Sequence, residues 1–333
     1  MNLAIQGLGR MGRLFLRTAL QRGLPVVAIN EPKGDPDTLA LGIEFDSVHG
    51  RYERPCRGEP GALWVGDRRI ALTQTTDAAA LPWRQHEVGL VVECSGKVKK
   101  QDGLQPHFAH GVRAVVVSNP VPGVPNLVVG VNDRGVDFAR EPVITAASCT
   151  TNCLAPLVRV LHDGLGIERG VVTTIHDPTN TQGVVDRADT DPRRARSALL
   201  NLIPTTTNSA TAVTLIVPEL RGKLDSIAVR APVLNASLTD CAFHVSRPTT
   251  VDEVNGLLRA ASEQGPLRGI LGYETRPLVS SDFARDPRSA IVDALCTRVV
   301  DGRLVKVMAW YDNEWGYCNR MADLVQQVLR ARA

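Results

Sequence analysis

The 333-residue sequence contains no apolar run long enough to cross a bilayer as a helix, no low-complexity tract and no internal repeat. Membrane insertion and a repeat array are thereby set aside. Excess charge of one sign is also missing. Lys and Arg number 38 against 35 Asp and Glu, a formal balance of +3, and the two signs are interspersed. Only short basic clusters stand out, at Lys97, Lys99 and Lys100 and at Arg193, Arg194 and Arg196. They read as solvated faces rather than a nucleic-acid footprint. The cysteines (56, 94, 149, 153, 241, 296 and 318) form no C-x-x-C pair and no regular framework. Residues 1–10 run into a strand pattern, without the basic and apolar regions of a secretory signal. Reduced thiols in a cytoplasmic protein are the expectation.

What is present is an ordinary globular composition, 44% hydrophobic and 22% charged, at a length that suits two domains. Residues 2–6 read as a short buried strand. Residues 10–21 read as a helix with Met11, Leu14, Phe15 and Leu20 apolar, and 25–30 as a second strand rich in valine. That is one βαβ unit of mononucleotide-binding length. Residues 89–94 and 113–118 are β-branched runs of the kind buried on both faces of a parallel sheet. A doubly wound parallel sheet is expected from this half. Beyond about residue 149 the strand candidates lengthen, at 171–175, 227–230, 236–245 and 303–310, with helical patterns at 252–264 and 287–297. This order predicts an α+β domain with a largely antiparallel sheet. Residues 177–202 are polar without Gly/Ser or Pro repetition and read as a long functional loop. Met321, Leu324, Val325 and Val328 place a helix over 319–333 that must dock somewhere.

Gly7, Gly9 and Gly12 form G-x-G-x-x-G between the first strand and the first helix. Glycine is required where the chain turns tightly and where backbone N–H groups approach a pyrophosphate, which the helix N-terminus then faces. Glu31 closes the second strand, where a carboxylate can accept from ribose hydroxyls and repel a 2′-phosphate. NAD rather than NADP is therefore expected, although an acid before Pro32 also suits a plain turn. Downstream, Ser148-Cys149-Thr150-Thr151-Asn152-Cys153 follows an apolar strand pattern and leads into a helical one. Cys149 would sit at a helix N-terminus, where the dipole favours thiolate, the nucleophilic form. The other cysteines are better read as small buried hydrophobes; Cys153, one turn on, is structural or a partner for an oxidised Cys149. His176 ends a strand beside the polar loop and is the candidate base, though spacing alone also allows an ordinary surface histidine.

At these residues the chain resembles the phosphorylating glyceraldehyde-3-phosphate dehydrogenases. The stretch from Ala147 to Pro156 is similar to the family's active-site signature. The similarity spans the whole chain and includes Gly7 to Arg13, Asp46-Ser47-Val48-His49-Gly50, Ile203-Pro204-Thr205-Thr206-Thr207 and Trp310-Tyr311-Asp312-Asn313-Glu314-Trp315-Gly316-Tyr317. The resemblance implies an NAD-binding Rossmann domain over 1–148, a catalytic domain over 149–313, and a terminal helix over 314–333 that packs back on the first. It implies cofactor contacts from Gly7, Gly9, Arg10, Met11, Gly12, Glu31, Ser95, Gly96 and Ser118, with Asn313 on the nicotinamide carboxamide. Cys149 would be the nucleophile and His176 its base. Thr179 and Arg230 would hold the phosphate of a phosphorylated aldehyde, and Ser148, Thr150 and Thr207, with Asn208 beside them, the attacking inorganic phosphate. A homotetramer with residues 177–202 near a neighbour's cofactor is also implied.

The departures from the family pattern are Gln6 for Asn, Glu31 for Asp, Thr181 for Asp and Asn208 for Gly. The last two flank the implied anion sites. Asn30-Glu31-Pro32-Lys33-Gly34-Asp35, Glu44-Phe45-Asp46 and Ile175-His176-Asp177 are most similar to a branch associated with arsenic resistance, which implies arsenate as an alternative oxyanion. Erythrose-4-phosphate dehydrogenase is a second enzyme reading, against which Thr150, Thr207 and Arg230 weigh. A binding module that has lost catalysis is opposed by intact Cys149, His176 and Asn313.

Overall fold

The computed structural model describes residues 1–179 and 182–333; Thr181 lies outside the described residues. Two compact units are present. One comprises Met1–Leu127, Gly135–Ala147 and Cys318–Ala333, and the other Val128–Arg134 and Ser148–Tyr317.

Among the described residues of the first unit, all strands but the short antiparallel pair Phe45–Asp46 and Gly50–Arg51 form one sheet. Its order is Val143–Thr145, Ala114–Val117, Val88–Glu93, Asn2–Gln6, Val26–Asn30, Arg68–Thr73, Ala62–Val65 and Cys56–Glu59. Pairing is parallel from Val143–Thr145 through Arg68–Thr73 and antiparallel in the last two steps. The expected doubly wound parallel sheet is this one, extended at one edge by a hairpin the sequence pattern did not reveal. Every residue of Val88–Glu93 and Ala114–Val117 is buried, as unbroken β-branched runs require. Asn2–Gln6 is central, with chain crossing to either side of it, so a crevice opens at the carboxyl ends of the strands. The helix Arg10–Gln21 buries Leu14, Phe15 and Leu16, and also Arg17. That guanidinium is satisfied by the carbonyls of Ile43, Glu44 and Gly50, so its burial is not penalised. Arg22 meets Asn319 and Asp323 of the helix Trp315–Ala331, at 2.6 and 2.5 Å. Arg332 donates to the carbonyls of Arg113, Phe138 and Glu141.

The second unit is built on a seven-stranded sheet of order Ile203–Thr206, Leu224–Arg230, Ile167–His176, Ser237–Val245, Leu304–Tyr311, Ala290–Val300 and Leu271–Glu274. Pairing is antiparallel except between Leu224–Arg230 and Ile167–His176 and at the Leu271–Glu274 edge. One sequence expectation is corrected here. Residues 287–297 are not a helix; Ala290–Val300 is a strand paired with Leu304–Tyr311. Ala290, Ile291, Val292, Ala294 and Leu295 suit a buried helix as well as a strand, and only the neighbouring strand decides between them. The helix Cys149–Leu165 packs on this sheet with Cys153, Leu154, Leu157, Val158 and Leu161 buried. Residues 177–202 carry no helix or strand among the described residues. No helix of the described residues is long and apolar enough to cross a membrane.

Candidate active site

The register of the second sheet assembles the site. His176 and Arg230 are partners on adjacent parallel strands, and Ser237 and Tyr311 are partners on the next antiparallel pair. With Ile175 opposite Leu238, all four residues lie at strand termini on the same end of the sheet, Ser237 opening its strand and the other three closing theirs. Cys149 is brought to that end by a sharp turn. Ala147 has φ +54°, a left-handed conformation that costs a buried non-glycine residue about 1 kcal/mol or more. Ser148 then caps the helix, its Oγ accepting from Thr151 N at 3.1 Å, which leaves Cys149 as the first helical residue.

Cys149 Sγ lies 3.6 Å from Nε2 of His176, within reach of proton exchange with sulfur. The opposite nitrogen, Nδ1, has Asp177 Oδ1 at 2.7 Å, the Asp177 carbonyl at 2.8 Å and Arg230 Nη1 at 2.6 Å. Two acceptors against one donor place a hydrogen on Nδ1, while Arg230 donates to the Asp177 carbonyl at 3.0 Å. Burial alone would pull the imidazole pKa down. The hydrogen bonds to Asp177 and Cys149 and the charges of both outweigh burial and raise it to about 9. The Arg230 guanidinium pushes the other way. Thr150 Oγ1 and Tyr311 Oη share a hydrogen bond of 3.0 Å, and the Tyr311 ring meets the imidazole edge-on at 6.1 Å. Burial, then the nearby Cys149 charge, drives the Tyr311 phenol far above its ordinary pKa, so it stays neutral. Cys153 is fully buried and pushed up to about 12 by burial, which leaves it inert.

Asn313 joins the cluster. Its Nδ2 donates to Asp177 Oδ2 at 3.0 Å and its Oδ1 accepts from Ser237 Oγ at 3.2 Å. Asp312 holds the turn by accepting from the N–H groups of Glu314, Trp315 and Arg285. Asp177, Ser237 and Tyr311 were not among the candidates from sequence. The signal for Asp177 was available, a carboxylate directly after the candidate base. Thr207 and Asn208 open the helix Ser209–Ile216, and Thr207 Oγ1 receives Ser209 N at 3.3 Å. Asn208 is exposed with φ −104°, a backbone any residue adopts, so the absence of glycine there introduces no strain. Thr179 begins the polar loop and accepts from Gln182 N at 2.9 Å.

The first unit carries a separate cavity of about 350 Å³, lined by Gly7, Gly9, Glu31, Ser95, Lys97 and neighbouring residues at the carboxyl ends of the strands. Gly7 has φ +90°, and a Cβ there would stand 2.7 Å from Ser95 Cα. A Cβ on Gly12 would stand 2.0 Å from the Gly7 carbonyl oxygen, whereas one on Gly9 would meet nothing within 4 Å. Gly7 and Gly12 thus close the turn, and Gly9 keeps a surface open. Glu31 accepts from Leu8 N at 2.7 Å and Lys33 N at 3.0 Å, so it also fixes the glycine loop. Ser95 and Gly96 follow the strand Val88–Glu93, with Ser95 N donating to Glu93 at 2.7 Å, and Ser118 N donates to the Glu93 carbonyl at 2.9 Å. Arg10 forms an ion pair with Asp46, and the Met11 carbonyl faces Cys318 Sγ at 3.8 Å. Glycine loop, carboxylate and open backbone fit a dinucleotide.

Comparison with known proteins agrees over both units. The family described as "Glyceraldehyde 3-phosphate dehydrogenase, NAD binding domain" matches residues 1–101, and that described as "Glyceraldehyde 3-phosphate dehydrogenase, C-terminal domain" matches residues 148–313. The chain is 54% identical over 328 residues to glyceraldehyde-3-phosphate dehydrogenase 3 of Nostoc sp., covering 98% of this chain and 97% of the relative. It is 49% identical over 336 residues to glyceraldehyde-3-phosphate dehydrogenase of Pseudomonas aeruginosa, covering 99% and 98%. Against glyceraldehyde-3-phosphate dehydrogenase 2 of Bacillus subtilis the identity is 42% over 328 residues, covering 98% and 96%.

Proposed function

The chain belongs to the glyceraldehyde 3-phosphate dehydrogenase family, and from that premise we propose that it oxidises glyceraldehyde 3-phosphate with NAD to the 1-phosphorylated acid through a thioester on Cys149. The observation that carries this reading is the 3.6 Å approach of Cys149 Sγ, at a helix N-terminus, to a histidine braced from behind by Asp177.

His176 Nε2 takes the thiol proton, and the Cys149 thiolate adds to the aldehyde carbon. The imidazolium returns that proton to the new alkoxide, and the hemithioacetal so formed gives its hydroxyl proton back to His176 as its carbon gives up a hydride. NAD, when bound to the first unit, supplies the hydride acceptor. An inorganic oxyanion then attacks the thioester carbon, the C–S bond breaks, and Cys149 leaves as thiolate beside the imidazolium. Arg230 and Thr179 suit the substrate's own phosphate, and Ser148, Thr150, Thr207 and Asn208 the attacking one. Arg230 holds the Asp177 carbonyl with Nη1, and its Nε and Nη2 carry further N–H groups. In this reading Asn313 holds the nicotinamide carboxamide.

Arsenate is nearly isosteric with phosphate, and we extend the reading to it, with 1-arseno-3-phosphoglycerate as product. A homotetramer is supported by apolar surface left open on the second unit. Val171 and Ile227 stand exposed on the sheet and Leu199, Leu200 and Leu202 on the polar loop, surface that a second copy would cover.

The test is NADH absorbance with purified protein, glyceraldehyde 3-phosphate and NAD, with phosphate or arsenate added. Turnover with both oxyanions is expected. No turnover with either, alongside activity on erythrose 4-phosphate, would overturn the reading.

A further inference from the structure

Asp177 follows His176 at the end of its strand and is 2% exposed. A carboxylate with so little water must have its charge and both oxygens met by the protein. Oδ1 lies 2.7 Å from His176 Nδ1. Oδ2 accepts from Asn313 Nδ2 at 3.0 Å. Ser237 ties the far side, donating to Asn313 Oδ1 at 3.2 Å and receiving Asp177 N at 3.3 Å. Asp177 thus joins His176 directly to Asn313, a residue 136 positions further along the chain.

We propose that Asp177 is a positioning residue that sets two parts of the reaction with one carboxylate. Oδ1 aims the base His176 at Cys149, and Oδ2 fixes the Asn313 amide that holds the nicotinamide. The second half rests on the function proposed above.

Two features make a carboxylate necessary. A carboxylate offers an acceptor oxygen to each neighbour, whereas an amide offers only one and cannot serve both. Its charge also opposes Arg230, whose Nη1 lies 2.6 Å from the same imidazole nitrogen. The groups facing the ring are Cys149 from the helix, Arg230 and Asp177 from the strand ends, and the neutral Tyr311 phenol. Removing the Asp177 charge leaves Cys149 alone to offset burial and the Arg230 guanidinium, so a protonated imidazole becomes less favourable.

The experiment compares the full-length protein with Asp177→Asn, Asp177→Glu and Ser237→Ala. The readouts are the NMR titration of the His176 ring and the Kd for NAD by calorimetry, neither of which needs turnover. Asp177→Asn is expected to move the His176 midpoint down by about one pH unit or more. It should also weaken NAD binding about three- to tenfold. Asp177→Glu should bring the midpoint part of the way back up. Ser237→Ala should weaken NAD and, since Ser237 Oγ also reaches Asp177 Oδ1 at 3.5 Å, shift the His176 midpoint by much less than Asp177→Asn does. An unchanged midpoint and an unchanged Kd in Asp177→Asn would overturn the proposal. A parent protein that binds NAD but does not turn over, with the midpoint still lowered in Asp177→Asn, would refute the assigned reaction and leave the bridging role standing.

Discussion

Around the cavity of the first unit, the side chains near the glycine loop serve chiefly to hold backbone. Glu31 takes the N–H groups of Leu8 and Lys33, Glu93 takes that of Ser95, and Gly9 leaves main chain uncovered. At the Cys149 end of the second sheet the order is inverted. There the backbone is fixed by strand register, and the working atoms are side chains that share protons and charge: Cys149, His176, Asp177, Arg230 and Asn313. A site made of backbone fails when volume is added to it. A site made of titratable side chains fails when a charge or proton is removed, with the fold left standing.

The largest effect expected belongs to the second kind. Cys149→Ser should lower turnover by roughly 10⁴-fold or more while leaving the melting temperature close to the parent's. Cys149 is only half-buried, and a hydroxyl fits where the thiol was. Steady-state rates with thermal melts on the same samples check this. A collapse of stability would mean that Cys149 is structural and that the contrast between the two regions is wrong.

The glycine loop sharpens the contrast from the other side. A Cβ on Gly12 falls 2.0 Å from a backbone carbonyl and has nowhere to go, so Gly12→Ala should cost about 1–3 kcal/mol of stability and NAD affinity with it. A Cβ on Gly9 meets nothing, so Gly9→Ala should leave stability intact and weaken NAD by about tenfold or more, the surface being needed for phosphate approach. Urea unfolding and NAD titration on the pair separate the two roles. Equal behaviour of both variants would show that the loop does not discriminate fold from ligand.

That pair also marks how far local sequence reaches. Gly7, Gly9 and Gly12 lie within one βαβ unit, so spacing alone singled them out, while it left Glu31 open between a ribose contact and a plain turn. The placement of Cys149 at a helix N-terminus was readable for the same reason. The second site depends on register between distant strands. His176 and Arg230 are 54 positions apart and meet only because Ile167–His176 and Leu224–Arg230 pair in parallel. No local pattern contains that pairing, and the same dependence on neighbouring strands hid the true state of Ala290–Val300. Asp177 was passed over for a different reason. An acid at a strand end is ordinary until its neighbours show that it is buried.

An effect of intermediate size concerns pH. His176 is raised to about 9 against burial, chiefly by its hydrogen bonds to Asp177 and Cys149. A raised basic group stabilises the fold fully below its ordinary pKa of about 6.5, and that contribution is lost as pH rises through about 9. The stability gap between the parent and His176→Asn should therefore be widest at pH 6 and narrow towards pH 10. In Cys149→Ser the His176 midpoint should fall, because one of the two hydrogen-bonded groups that raise it has been replaced by a neutral hydroxyl. A gap that widens with pH would overturn the upward shift assigned to His176.

The smallest effect is expected at Asn208, which sits between the two kinds of site. It is a side chain, but it is exposed, makes no capping hydrogen bond and has an unstrained backbone. Asn208→Gly should change stability by no more than a few tenths of a kcal/mol, since glycine nearly matches asparagine at a helix N-cap. If the oxyanion is held by the hydroxyls of Thr150 and Thr207 and by backbone N–H groups, half-saturation by phosphate and by arsenate should move together or not at all. A change in their ratio would mean that the Asn208 amide touches the attacking oxyanion and takes part in choosing it. The residue would then belong with the side-chain site, and its departure from the family's glycine would be functional rather than tolerated.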